Sequence, residues 1–161
     1  MIRARARGSA ETQAILDGIR RLVRELRLAS SLAERMLKVS GAQLYVLHAL
    51  GREDGLSVNE LAARTLTHQS SVSVVVAKLV QGGLVKRRRS ASDARRLELS
   101  LTAAGRALVR RAPEAIQDRL VAAIERLPRA ERGAFAGALT KVIRDVGIGS
   151  GSAPLFFEER A

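Results

Sequence analysis

Arg87, Arg88, Arg89, Arg95 and Arg96 fall within ten residues of one another. Guanidinium groups clustered in this way can serve phosphates, and one inserted into a narrow minor groove gains from the enhanced negative potential there. Just upstream, Gln69, Ser70, Ser71, Ser73, Val74 and Lys78 occupy a segment with helical apolar spacing. Short polar side chains near a helix N-terminal end reach base edges and phosphates in a major groove, and the helix amides add affinity for phosphate. On that segment Val74 offers an apolar group for a thymine methyl, while Lys78 suits a phosphate. His68, at the start of the segment, is a further phosphate candidate. Asp93 is the exception, because a carboxylate near phosphates is repulsive unless it is paired.

Other chemistries find little support. There is no cysteine, which removes disulfides, thiol nucleophiles and thiolate metal sites together. With His48 and His68 as the two histidines, a metal site would need carboxylates such as Glu34 or Glu53, and their spacing matches no ligand pattern. No HExxH, P-loop or local Ser/His/Asp arrangement occurs, so the expectation is no catalytic residue, no metal and no cofactor. The glycines of 147–151 lead into the C-terminal tail with no helix to receive a phosphate, and read as linker.

Charge narrows the partner. The 28 basic residues against 16 acidic ones give a formal net charge of +12, far beyond what solubility requires. Nucleic acid and anionic membrane both answer that charge, and its distribution separates them. The cations concentrate in 86–96 rather than along one helix face, and no apolar run approaches the roughly 18–20 residues that cross a bilayer. The first residues carry Arg3, Arg5 and Arg7 with no apolar core behind them, unlike an export signal. A cytoplasmic, nucleoid-associated protein is expected. Aromatics are only 2%, too few for the base-stacking surfaces of single-strand binders, so duplex binding is favoured.

The elements that must position these residues follow from periodicity. Ile15, Ile19, Leu22, Val23, Leu26, Ala29 and Ala33 mark a long amphipathic helix over about 12–38. Ser40 with Gln43, and Ser57 with Glu60, form two capping boxes that open short helices. A further helix runs over about 69–81 and stops at Gly82 and Gly83. The period then changes: Leu97, Leu99 and Leu101 alternate with polar residues opposite Leu84–Arg87, across a polar tip at 88–93. That hairpin follows a helix-turn-helix directly, as a projecting wing would. Thr102 caps a long helix to about Leu127 with Pro113 inside it as a kink point, and Pro128 opens a last helix bearing Phe135, Leu139, Val142, Ile143 and Val146. The fold class is therefore mainly α with a small β-hairpin, a winged helix-turn-helix between helical ends.

The stretch from Leu61 through Gly82-Gly-Leu-Val85, then the basic hairpin with Asp93-Ala-Arg95, then Leu99-Ser-Leu-Thr102-Ala-Ala-Gly105, resembles the heart of MarR-type transcription regulators. The likeness extends over about 12–146. It implies a homodimer in which residues 12–38 and 102–146 interlock, holding two DNA-binding units of residues 40–101 at the spacing of successive major grooves. From the residues themselves, 1–11 read as a basic arm and 147–161 as a Gly/Ser linker with the hydrophobic tail Pro154-Leu-Phe-Phe157, whose aromatics are expected to dock on the dimerisation helices or in a groove between the lobes. The resemblance also implies that Asp93 and Arg95 order the wing as a pair, and that a small aromatic or lipophilic effector binds between the lobes. Arg24, Met36, Tyr45 and His48 are the candidates for that crevice. The expected function is a sequence-specific double-stranded DNA-binding regulator, chiefly a repressor, on a pseudo-palindromic promoter site. The rival is a non-specific architectural DNA-binding protein, for which charge alone would suffice.

Overall fold

The computed structural model describes residues 9–90, 93, 95–149, 153, 155 and 156. In chain order its elements are α1 (Ala10–Leu37), α2 (Gly41–Arg52), α3 (Val58–Arg64), α4 (Gln69–Gln81), β1 (Val85–Arg89), β2 (Leu97–Leu101), α5 (Ala103–Arg111), α6 (Ile116–Glu125) and α7 (Arg129–Asp145). The helices start where the hydroxyl residues stand. Ser9, Ser40, Ser57 and Thr102 each accept a backbone amide at the head of α1, α2, α3 and α5. Both expected capping boxes close reciprocally, with Gln43 and Glu60 returning to the amides of Ser40 and Ser57.

The core is built around α2, which is buried on every side from Leu44 to Leu50. Leu47, Leu50, Leu61, Val72, Val76 and Leu79 are almost wholly enclosed, so α2, α3 and α4 share one apolar centre. β1 and β2 pair antiparallel with Val85 opposite Leu101 and Arg89 opposite Leu97. A single bridge joins Leu56, just before α3, to Leu99 on the outer side of β2. The hairpin is thereby anchored to the helix-turn-helix through Leu99, whose amide and carbonyl bond to Leu56 and Gly55.

The turn from hairpin to α5 is held at one point. The Thr102 amide donates to the Leu84 carbonyl at 3.0 Å, and its hydroxyl donates to the Gly83 carbonyl at 2.7 Å. A Cβ at position 105 would meet that Leu84 oxygen at 2.1 Å, so the first turn of α5 can approach the start of β1 only with Gly105 there.

Two expectations change. The helix expected over 102–127 is two helices, because Pro113 lies between α5 and α6 and the residue before it, Ala112, is forced out of the helical region to φ −76°, ψ 142°. In the tail, Leu155 rather than Phe156 is buried in the core cluster, and Phe156 is half exposed. Phe157, the arginines of the N-terminal arm, Ala94 and the glycine of position 151 lie outside the described residues.

Candidate nucleic-acid interface

The helix α4 is inward-facing through Val72, Val75, Val76 and Leu79, which are all buried. With 3.6 residues per turn, the opposite side carries Ser70, Ser73, Val74, Ala77 and Gln81. Gln69, Ser70 and Val74 are exposed, and Ser73 and Lys78 are half-buried. Ser71 is a correction to the sequence reading: it is 8% exposed on the inward side, because two steps of about 100° separate it from Ser73. Ala77, one turn beyond Ser73, was not singled out from the sequence. Its signal was the i+3, i+7 spacing from Val74 and Ser70.

The head of α4 differs from its neighbours. Its N-cap residue is His68, with no side-chain bond to the helix amides, so neither Ser70 nor Thr67 caps it. The N-terminal amides therefore keep their capacity for an outside acceptor such as phosphate.

Beside α4 stands the hairpin. Along β1, burial falls from Val85 to exposed Arg87, Arg88 and Arg89, and Arg95 is also exposed. Asp93 sets the hairpin's tip: its carboxylate accepts the Arg95 backbone amide at 2.9 Å, and its carbonyl accepts the Arg96 amide at 2.9 Å. The expected Asp93–Arg95 pairing thus runs through the Arg95 main chain, which leaves its guanidinium directed by the backbone rather than tied to the carboxylate. Local Asx bonding of this kind is the usual way a short acidic side chain orders a turn.

Arg96 behaves unlike the other four arginines. Its Nη2 donates to both carboxylate oxygens of Glu60 at 3.0 and 2.8 Å and lies 3.4 Å from the Gly55 carbonyl, and Nε is 3.8 Å from Glu98. Glu60 is held below the usual carboxylate range by the Ser57 amide and hydroxyl, and further by the Arg96 charge. Arg96 is consequently a strap between the hairpin and α3. Sequence reading grouped it with the DNA-facing arginines because its partner lies 36 residues away.

The four residues expected to line an effector crevice are not brought together. Arg24 and Met36 are exposed on α1, whereas Tyr45 and His48 are buried on α2. The Tyr45 hydroxyl lies 3.5 Å from the Thr65 carbonyl, and His48 Nδ1 lies 3.6 Å from Asp118 of α6. A cavity of about 280 Å³ does open between α1, α2 and α6, but other residues line it, among them Leu26, Ser30, Leu44, Ile116, Gln117 and Arg119. Gln117 is buried and its Nε2 has no hydrogen-bond partner among the described residues.

The MarR-family model matches residues 37–96, the span from the end of α1 to the strap at Arg96. An uncharacterized HTH-type transcriptional regulator of Mycobacterium bovis is 31% identical over 131 residues, covering 77% of this chain and 92% of the relative. The chain belongs to the MarR family. An HTH-type transcriptional repressor of Mycobacterium tuberculosis is 32% identical over 120 residues, or 74% of this chain and 86% of the relative. Among solved structures, Streptococcus pneumoniae FabT in complex with DNA matches with a TM-score of 0.56 at 17% identity, over 84% of this chain and 97% of that one. The Staphylococcus aureus MepR–DNA complex matches with a TM-score of 0.54 at 22% identity, over 80% and 94%. These likenesses establish the winged-helix fold. MarR-family members and the curated relatives are transcription regulators, not enzymes. Among the described residues no group of His, Cys, Asp or Glu is placed to hold a metal ion, and no helix is long and apolar enough to cross a membrane.

Proposed function

We propose that this MarR-family chain is a homodimeric, sequence-specific duplex-DNA regulator, acting chiefly as a repressor on a pseudo-palindromic promoter site. The observation that carries it is the joint exposure, on two elements that pack against each other, of the uncapped, polar head of α4 and the arginines of β1. The first suits a major groove and phosphates, the second an adjacent minor groove.

Dimer formation is supported by what a single chain leaves uncovered. The helix α7 buries none of its residues, although Phe135, Leu139, Val142 and Ile143 line its length, and the first half of α1 exposes Ile15, Leu16, Ile19 and Leu22. Apolar stripes of that extent call for a partner surface, and a second copy covers them symmetrically. Two recognition helices held about 34–36 Å apart would then meet half-sites one helical turn apart.

Effector control is supported by the cavity between α1, α2 and α6. Its apolar lining and the unpartnered Gln117 amide suit a small lipophilic molecule bearing an acceptor. A ligand that prefers one lobe spacing would change DNA affinity reciprocally.

The test is a competition titration at about 150 mM salt, setting the promoter duplex upstream of the chain's own gene against random duplex, with Arg95→Ala beside the native chain. A preference of about a thousandfold or more that falls in the variant supports the reading. Equal binding to both duplexes favours the architectural alternative, and an absence of duplex binding refutes both.

A further inference from the structure

The middle of the groove-facing side of α4, at Val74 and Ala77, lacks the groups that read guanine. Guanine is distinguished in the major groove by a bidentate Arg or Lys, adenine by Asn or Gln, and thymine by apolar contact with its methyl group. The outward stripe Ser70, Ser73, Val74, Ala77, Gln81 holds no cation at all. The one cationic side chain within α4, Lys78, is half-buried like Ser73 and flanks the stripe on the other side, one turn beyond Val74. At the centre of the stripe stands Val74, a branched apolar side chain left 42% exposed, with exposed Ala77 next to it at i+3. Residues at that spacing have Cβ atoms about 5–6 Å apart, which spans between one and two base-pair steps of about 3.4 Å.

An exposed valine beside an exposed alanine, on a face whose other members Ser70, Ser73 and Gln81 are polar, is an apolar pair left uncovered by the described residues. Its occupant follows from where it sits. The surface beside it is the arginine-bearing hairpin of a protein with net charge +12, so a polyanion covers this face. The apolar group that duplex DNA presents in its major groove is the thymine C5 methyl.

We infer that Val74 and Ala77 form a methyl-reading pair, and that each operator half-site carries thymines, not guanines, beneath the middle of α4. Ser70 and Ser73 then bond neighbouring base edges or phosphates, and Arg95 and its neighbours supply affinity without setting this part of the sequence. The inference rests on the duplex-binding reading above and names the bases that reading leaves open.

Uracil in place of thymine removes the methyl alone and leaves pairing and the minor groove intact. Duplexes are first selected by the full-length chain from a randomised 30-base-pair pool. Each thymine of the selected half-site is then replaced singly by uracil, and affinity is measured for the native chain, Val74→Ser and Ala77→Ser. The expected result is a loss of about fourfold for each methyl that is read, the burial value of one such group. That loss falls at one or two positions for the native chain, and the corresponding position becomes insensitive in Val74→Ser or Ala77→Ser. Both variants lie on the exposed face of α4, and equal unfolding midpoints confirm that they retain the fold. Selected half-sites with guanine at the positions beneath α4, or uracil duplexes that bind equally well throughout, overturn the inference while leaving the regulator reading intact. So does a uracil penalty that persists unchanged in both variants. A pool that yields no bound or enriched duplex overturns the regulator reading itself.

Discussion

Arg96 Nη2 grips both carboxylate oxygens of Glu60, at 2.8 and 3.0 Å, and so ties the tip end of the hairpin to the helix that precedes α4. The pair is solvent-exposed, and its direct contribution to stability is small, about 0–1 kcal/mol. Its effect is on orientation: it fixes the angle between the arginine hairpin and the recognition helix. Arg95 is exposed and is one of the arginines expected at the DNA. Arg95→Ala should lower the slope of log affinity against log salt by about 1, the loss of one phosphate contact. Arg96→Gln should weaken binding while leaving that slope unchanged. A slope change in Arg96→Gln equal to that in Arg95→Ala would show that both side chains meet phosphate.

The Gly105 position is set by packing rather than by φ. An added Cβ meets a backbone oxygen at 2.1 Å, which no rotamer relieves. Gly105→Ala should therefore destabilise the chain by about 3 kcal/mol, the upper range for overpacking, with a clear drop in the urea midpoint. A change under about 0.5 kcal/mol would mean that α5 can slide away from Leu84 at no cost.

His48 predicts an acid limb in stability. Burial pushes its imidazole below the ordinary value of 6.5, and the nearby Asp118 only partly opposes this. Arg52 and Glu114 also act on it, with opposite signs. With the folded value depressed, the unfolded chain binds the proton more readily. The contribution is therefore present above 6.5 and is lost as the pH falls through the depressed value. Chemical denaturation at pH 7 and about 5.5 should give lower stability at the acid end for the native chain, and a smaller difference for His48→Gln. Equal differences in the two proteins would assign the acid limb to other groups.

Leu139 and Val142 of α7 are 43% and 53% exposed in the single chain. If a second copy covers them, Leu139→Glu with Val142→Glu places charges in a buried apolar seam. Sedimentation equilibrium should then show the native chain at twice 17.4 kDa and the variant largely at 17.4 kDa, with DNA affinity reduced by about a hundredfold or more. A native chain that sediments at 17.4 kDa would exclude the dimer directly.

Local signals in the sequence determined the elements. Hydroxyl caps at Ser40, Ser57 and Thr102 start their helices where the sequence places them, since capping acts within one turn. The alternation of Leu97, Leu99 and Leu101 fixed the second strand, because a strand's side chains change face at every residue. The apolar spacing of Val72, Val75, Val76 and Leu79 likewise determined which side of α4 is covered. Tertiary structure decided what depends on groups far apart in the chain. Arg96 grips Glu60 rather than standing free, Gly105 must lie bare against Leu84, and Leu155 rather than Phe156 enters the core. Tyr45 and His48 turn inward while Arg24 and Met36 stay outside, so the residues assigned to the crevice that the family resemblance implied are divided between two surfaces. Periodicity and capping act over three or four residues, whereas ion pairing, close approach and burial depend on which surfaces meet once the helices have packed.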